Sequence, residues 1–198
     1  MAGLQPHERI IRKIQKIKAA LAADKKRWGG FYRDGGGLRY APPELFIQMG
    51  DFSGGLRYLN WFAKNFPDDS GYPDFLFEWT FILFKTGLLK AAEKKAFETF
   101  TRNTYLFDRF FDRPIVQIDK WERSNLEIAA FATDHFHYNS GQENMSDFSG
   151  WLDQLLRSER FSALTNRYIT LSQQLKVEKE REVRRKLIDQ MYQLLDEV

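Results

Sequence analysis

The chain has 198 residues, of which 43% are hydrophobic and 16% aromatic, and this composition favours one folded domain with a large core over a disordered chain. It contains no cysteine, which excludes disulfide bonds, thiolate metal sites and cysteine nucleophiles. The net charge is only +3, but the first 40 residues hold ten Lys and Arg against three Asp and Glu, whereas residues 41–80 hold two against six.

A basic amphipathic helix is predicted over residues 1–27. Pro6 suits the first position of a helix. The apolar residues then recur at helical spacing, at Ile10, Ile14, Ile17 and Leu21. The opposite face carries Arg12, Lys13, Lys16 and Lys18. Such a helix could pack as a cap on the rest of the protein, lie on a membrane surface or bind a partner, and we expect the packed cap.

Neither a signal peptide nor a membrane-spanning segment is predicted. Basic residues are spread through the apolar positions of the N-terminal segment, which is unlike the organisation of a signal peptide. The most apolar run, residues 75–84, has only about ten residues and includes Glu78, whereas a spanning helix needs roughly 20 residues. We therefore expect a cytoplasmic protein that has no membrane partner.

A loop rich in glycine and aromatic residues is predicted over residues 28–41. Gly35–Gly37 could cradle a phosphate group, but no strand precedes these glycines and no Lys-Ser or Lys-Thr pair follows them. The segment is therefore interpreted as a flexible connector.

Two helical hairpins with the same residue spacing, 37 residues apart, are predicted over residues 42–104. Each has a small residue at the bend, another where the two helices cross, and apolar residues along the second helix, as a stacked helical repeat requires. The repeated positions are Gly50, Phe52, Gly55, Leu59, Phe62 and Pro67 in the first hairpin and Gly87, Leu89, Ala92, Ala96, Thr99 and Thr104 in the second.

Turn and capping residues set the predicted helix ends. Pro42 and Pro43 precede a short helix that ends at Gly50, and Asp51 can cap the helix that follows. Residues 67–71 form a turn, after which the second hairpin has helices over residues 72–86 and 88–101.

The two hairpins resemble the tetratricopeptide repeat family over about residues 40–104, a third of the chain. The first matches the family pattern from Gly50 to the closing Pro67. The second keeps Gly87 and Ala92 but has Thr104 in place of the proline, and the 37-residue step exceeds the usual 34. The resemblance implies a helical solenoid whose first helices line a concave groove that binds proteins or peptides without catalysis.

Carried over by position, the groove residues are Tyr40, Glu44, Ile47, Gln48, Asp74, Phe77, Phe81, Phe84 and Lys85. The aromatic rings would anchor a partner, and Lys85 with Arg57 would orient its acidic or C-terminal carboxylate groups. The alternative for Phe77 and Phe81 is burial, because a helix that is apolar on nearly every side is normally covered on every side.

The C-terminal region, residues 105–198, is predicted to be helical but to diverge from the repeat. We expect a short aromatic helix over 104–111, an irregular crossing over 115–121, a helical segment over 125–137 and a loop over 140–144. Ser146 would cap a further helix to Leu156, and Val183, Leu187, Met191 and Leu194 mark the last amphipathic helix, which could also continue the one before it.

The best local candidate for chemistry is the segment from Asp134 to His137, in which His135 and His137 could supply two metal ligands from a strand. On the helix predicted there, residues two apart point about 200° away from one another, so the pair could not chelate a metal. No catalytic residue, metal site or cofactor is assigned. The paired carboxylates Asp68 and Asp69 lie in a predicted turn and are interpreted as capping or solvent-facing residues.

The sequence therefore predicts an all-α protein, a single helical domain over residues 1–198 with two tetratricopeptide-like hairpins, and a non-catalytic scaffold that binds a protein or peptide. Two alternatives stay open. The first is a nucleic-acid or ribosome-associated protein that uses the basic N-terminal helix with Arg33 and Arg39. The second is an enzyme whose site is assembled only in the fold, around Asp134, His135 and His137.

Overall fold

The computed structural model describes residues 5–198, and over this range it consists of helices and connecting segments without β-strands. Three short 3₁₀ turns accompany ten α-helices that pack against one another. The helices are α1 (Pro6–Arg27), α2 (Pro42–Met49), α3 (Phe52–Asn65), α4 (Pro73–Lys85), α5 (Leu89–Arg102), α6 (Leu106–Phe110), α7 (Ala129–Asp134), α8 (Ser146–Arg157), α9 (Glu159–Val177) and α10 (Arg181–Gln193).

The predicted N-terminal helix is present as α1, which begins at Pro6, while residues 1–4 of the prediction lie outside the described residues. Its apolar side is buried on the hairpin formed by α2 and α3. The buried cluster there consists of Ile14, Ile17, Leu21, Leu45, Phe46 and Tyr58. In this structure α1 is thus a packed cap, and its apolar face is not available for insertion into a membrane.

Glycines end the first helix of both predicted hairpins, as expected. Gly50 and Gly87 have φ values of +67° and +76°, a left-handed conformation that a residue without a side chain adopts most easily. Asp51 caps α3, because its side chain accepts a hydrogen bond from the Gly54 amide at 2.8 Å. Gly55 lies where α3 meets α4, and a Cβ atom there would stand 2.9 Å from Cδ1 of Ile82.

The remaining repeat positions divide into core and surface residues. Leu59, Phe62, Ala92 and Ala96 are buried, and Phe52 is half-buried with its ring against Phe81. Pro67 is exposed in the turn after α3. Leu89 does not pack as its repeat position predicts: it is 46% exposed because it is the first residue of α5, ahead of the turns that carry the buried alanines.

The C-terminal half covers the aromatic face of α4. The Phe77 ring lies 5.0 Å from Phe110 and 4.8 Å from Phe136, and the Phe81 ring lies 5.0 Å from Phe148. Phe77 and Phe81 are completely buried, so the prediction that they line an open groove is wrong. The reason is that α8 packs on α4 and places an apolar face over it.

Two helix boundaries in the C-terminal half differ from the prediction, and one alternative that the sequence left open, a separate last helix, is confirmed. The helical segment expected over 125–137 is confined to α7, because the Asn103 side chain donates hydrogen bonds to the carbonyl groups of Leu126 and Ile128 and holds them outside a helix. Ser146 is the first residue of α8 and makes no capping bond. The last two helices are separate, and the Glu180 side chain caps α10.

Candidate functional site

A cleft of about 660 Å³ lies where the glycine-rich loop, the first turns of α2 and α4 and the segment after α7 come together. We call it the carboxylate cleft, after Glu44, Asp74 and Glu78, three of the four acidic residues that line it. It is also lined by Arg33, Asp34, Arg39, Tyr40, Tyr72, His135 and His137. The cleft thus joins parts of the chain that are far apart in sequence.

One wall of the cleft is held by an ion-pair network centred on Arg39. The guanidinium group donates from Nη1 to Asp34 at 3.0 Å and from Nε to Asp69 at 2.7 Å. The Tyr40 hydroxyl completes the network with a hydrogen bond to Asp69 at 2.8 Å. The loop over 28–41 is therefore bonded to the turn that follows α3, and its interpretation as a flexible connector is corrected.

Asp34 stabilises the same loop through its backbone conformation and through its carboxylate. It has a φ of +30°, which is uncommon for a residue with a side chain, and its carboxylate accepts hydrogen bonds from the amides of Leu38 and Arg39, both at 3.0 Å. Asp24 at the end of α1 accepts from the amides of Arg33 and Asp34. These bonds connect α1 to the wall of the cleft.

At the mouth of the cleft, Glu44 lies on α2 near His137. Its Oε1 accepts a hydrogen bond from the Gln48 side chain at 3.0 Å and lies 3.7 Å from Nε2 of His137. Both Gln48 and His137 are exposed. Within residues 5–198, no Lys or Arg forms an ion pair with Glu44, so its charge is available to a ligand.

Asp74 lies deeper, in the first turn of α4. A negative charge at this end of a helix interacts favourably with the helix dipole. Its Oδ1 atom is buried and has no hydrogen-bond partner in the part of the chain that the structure describes. Burial raises the pKa of this carboxyl above its ordinary value. A buried acceptor without a donor is uncommon in folded proteins, because desolvation without a hydrogen bond costs about 1–3 kcal/mol.

Glu78 lies at the inner end of the cleft and is hydrogen-bonded to Tyr138. The Tyr138 hydroxyl donates to Oε1 of Glu78 at 2.9 Å, and both side chains are buried. Burial raises the pKa of Glu78 well above its ordinary value, and the neighbouring Asp74 raises it further. The pKa of Tyr138 is also raised, first by burial and then by Glu78. Burial and Asp74 therefore favour the neutral form of the Glu78 carboxyl in the folded protein, and they outweigh the Tyr138 hydrogen bond, which lowers its pKa.

Replacing Glu78 by glutamine is expected to stabilise the fold above about pH 5 and to have little effect near pH 4. Between its ordinary pKa of 4.5 and its raised folded pKa, the unfolded chain has lost the Glu78 proton while the folded chain retains it. Wild-type stability therefore falls as pH rises through this window, by up to about 1.4 kcal/mol per pH unit. Urea unfolding of both proteins across this range measures the difference.

Glutamine is suited to this test because its carbonyl oxygen can still accept the Tyr138 hydrogen bond. Glu159→Gln is the matched control, because Glu159 is exposed and forms no ion pair within the described chain. A raised Glu78 pKa would be contradicted if the difference in unfolding free energy between Glu78→Gln and wild type stayed constant, within about 0.5 kcal/mol, from pH 4 to pH 8.

The cleft contains three of the groove residues expected from sequence, Tyr40, Glu44 and Asp74, with Gln48 bonded to one of them. The other groove residues lie elsewhere. Ile47 is buried in the core, Phe84 is half-buried against Trp151 of α8, and the Lys85 ammonium group pairs with Asp147 of α8 at 2.7 Å. Lys85 is therefore not free to orient a partner, which corrects that prediction.

Sequence reasoning did not identify Glu78 and Tyr138 as site residues. Glu78 is the one charged residue in the apolar run over 75–84. That position is itself a signal, since a carboxyl group in a buried helix requires a hydrogen-bond partner. Tyr138 is 60 residues away in the chain and no spacing marks it.

A second cavity of about 780 Å³ lies beside α1, against α2 and α3. Its lining includes Lys18, Arg57, Phe46, Tyr58 and Trp61. Arg57 was expected to act together with Lys85, but it lines this cavity and not the carboxylate cleft.

The three residues of the enzyme alternative are exposed and point to different neighbours. Asp134 accepts a hydrogen bond from the Thr133 hydroxyl, the His135 ring packs 5.3 Å from Phe131, and His137 approaches Glu44. Only the two histidines line the cleft. Across residues 5–198, no group of three or more His, Asp and Glu side chains is arranged to hold a metal ion.

Two further findings bear on function. Among the helices of residues 5–198, none combines the length and the apolar character needed to cross a membrane. Comparisons of the chain with protein-family models, with curated proteins and with solved structures give no match.

Proposed function

We propose that this protein is a non-catalytic protein- or peptide-binding scaffold, and that its carboxylate cleft recognises a positively charged group of the partner. The observation that carries the proposal is the Oδ1 atom of Asp74, a buried acceptor that lacks a donor and lines an open cleft. An ammonium or guanidinium group supplies only donors, so a lysine or arginine side chain or a free amino terminus fits this site.

The charge around the cleft supports this choice of ligand. Asp34 and Asp69 are already neutralised by Arg39, whereas neither Glu44 nor Asp74 forms an ion pair with a Lys or Arg of residues 5–198. The one basic side chain near Glu44 in that range is His137, at 3.7 Å. Arg33 is the remaining cation of the lining, and its guanidinium group lies 4.6 Å from the centre of the Trp28 ring. A cationic group would therefore meet Glu44 at the mouth, Asp74 deeper in the cleft and the Glu78 acid at the inner end.

We further propose that α2–α5 are two hairpins of tetratricopeptide type and that the cleft is the open end of their groove. The left-handed glycines at both bends support this arrangement, as do the close contact at Gly55 and the buried Ala92 and Ala96. The rest of the groove is filled by the chain itself, so recognition depends on charge and not on the aromatic anchors expected from sequence. The cytoplasmic location remains part of this proposal.

The proposal is tested by selecting binders to the full chain from a random peptide library. The affinities of the selected peptides are then measured. We expect enrichment of lysine, arginine or a free amino terminus at one position. The double variant Glu44→Gln/Asp74→Asn should weaken these peptides by about tenfold or more, because each carboxylate makes a charge-assisted hydrogen bond. Binding to wild type should also tighten as pH rises and the raised pKa of Asp74 is passed.

The matched control is Glu159→Gln/Asp189→Asn, which removes the same two charges from exposed positions outside the cleft. It should leave the affinities unchanged within about twofold. Selected peptides without a common cationic group, or equal losses in both double variants, would contradict a cationic ligand in the cleft.

A further inference from the structure

The outer face of α1 carries a row of cations that the fold does not neutralise. Arg9, Arg12, Lys13 and Lys16 follow one another at intervals of three, one and three residues, so they lie on one side of the helix. All four are exposed, and none forms an ion pair with a carboxylate of residues 5–198. We call these four residues the basic row.

Like charges at this spacing repel one another and oppose helix formation by a few tenths of a kcal/mol per pair. Arg39 and Lys85, by contrast, each form an ion pair with a carboxylate of the fold. The basic row is therefore a concentrated positive surface with no internal partner in the described structure.

Two exposed aromatic rings lie just beyond the end of α1. Trp28 is 42% exposed and Phe31 is 78% exposed, although both are large apolar side chains. The Trp28 ring has guanidinium groups close by, with Arg33 at 4.6 Å and Arg27 at 5.9 Å from its centre. Neither ring belongs to the two core clusters.

We propose that α1 and these two rings form a binding surface for single-stranded nucleic acid. The basic row would contact the phosphates, and Trp28 and Phe31 would stack on unpaired bases, which is the combination of charge and aromatic surface that single strands require. This inference does not depend on the carboxylate cleft. Duplexes fit less well because their base faces are already stacked and do not meet exposed rings.

An anionic membrane is the other polyanion that a basic helix could meet. An interfacial helix inserts its own apolar face into the lipid, and here that face, with Ile14, Ile17 and Leu21, is covered by α2 and α3. The structure therefore favours nucleic acid over lipid, and the experiment distinguishes them.

The N-terminal alternative stated from sequence included Arg39, and the structure changes that assignment. The Arg39 side chain is engaged with Asp34 and Asp69, so it is not free for a phosphate group. Arg33 remains available beside Trp28. The distance along α1 from Arg9 to Trp28 is about 28 Å, which a strand of roughly 12 nucleotides can span.

Fluorescence anisotropy of the full chain with a labelled 12-nucleotide uridine strand is the test. Replacing all four residues of the basic row by glutamine should weaken binding about tenfold or more at low salt. It should also reduce the slope of log K against log salt by about three, since each phosphate contact contributes roughly 0.7. The variant Trp28→Ala/Phe31→Ala should lose about tenfold or more in affinity but keep the wild-type salt slope.

The matched control replaces four exposed cations of the C-terminal region by glutamine, at Lys179, Arg181, Arg185 and Lys186. This variant has the same net charge as the basic-row variant and should bind as wild type does within about threefold. Circular dichroism and thermal unfolding of every variant establish that the fold is intact.

Any of four results would overturn the inference. These are no binding of the uridine strand by wild type at low salt, equal losses in the basic-row variant and its control, equal affinity for a 12-base-pair duplex, and preferential binding to vesicles of phosphatidylglycerol.

Discussion

Replacing Phe77 by alanine is expected to lower the free energy of unfolding by about 3–5 kcal/mol, the usual cost of deleting a buried phenyl ring. Phe77 is completely buried, and its ring contacts Phe110, Phe136, Tyr138 and Phe148. The cavity would open where α4 meets the C-terminal half, so both halves should lose stability together. Urea unfolding followed by circular dichroism measures the change.

The matched comparison is Phe84→Ala, because Phe84 lies on the same helix about two turns after Phe77. Phe84 is only half-buried against α8, so its loss should be clearly smaller. Many domains are stable by only about 5–15 kcal/mol, so the alanine variant could fail to fold. In that case Phe77→Leu replaces it in the test, with an expected decrease in the free energy of unfolding of about 1–2 kcal/mol. Equal effects at Phe77 and Phe84 would contradict the packing described for α4.

Replacing Arg39 by alanine is expected to cost about 2–3 kcal/mol at neutral pH, because it leaves two largely buried carboxylates without their cation. The Asp34 side chain is almost fully buried and the Asp69 side chain mostly so. The glycine-rich loop should then detach from the turn after α3. Hydrogen exchange of the amides over 28–41 reports the detachment, and urea unfolding reports the free energy.

The effect of Arg39→Ala should depend on pH in a defined direction. Burial alone would raise the pKa of Asp69, but hydrogen bonds from Gly71, Tyr40 and Arg39 outweigh burial and lower it. Stability from this carboxylate is therefore present above its ordinary pKa of 3.8 and is lost as pH falls through the lowered folded value. The difference between the variant and wild type should shrink in that acidic range.

Arg57→Ala is the control for this second prediction. Arg57 is exposed and forms no ion pair with residues 5–198, so its removal should change the free energy by less than about 0.5 kcal/mol. If Arg39→Ala were as mild as Arg57→Ala, or if it left the exchange of the loop amides unchanged, the network would not hold the wall of the cleft.

Much of the local structure could be predicted because its causes are local. Gly50 and Gly87 end helices since a left-handed residue is needed there, and Asp51 caps α3 with an oxygen three residues from the amide it binds. The apolar spacing of α1 likewise identifies the side that packs, through Ile14 and Ile17. Each of these signals lies within one or two helical turns of the feature it predicts.

The parts that could not be predicted depend on contacts between distant residues. The burial of Phe77 is decided by Phe148, which is 71 residues later, and no pattern within α4 distinguishes a ring covered by a partner from one covered by its own chain. The length of α7 is set by Asn103, more than 20 residues before it. The carboxylate cleft is of the same kind, since Tyr138 and Glu78 meet only in the fold.

The cleft has one side from the hairpins, through Glu44 and Asp74, and another from the segment that bears His137 and Tyr138. A molecule bound between these sides would contact two regions that are far apart along the polypeptide. Occupancy would then raise the melting temperature of the whole protein as one cooperative transition, in proportion to the logarithm of ligand concentration. A fragment that stops at residue 104 would keep these two carboxylates but lack the segment that forms the opposite side of the cleft.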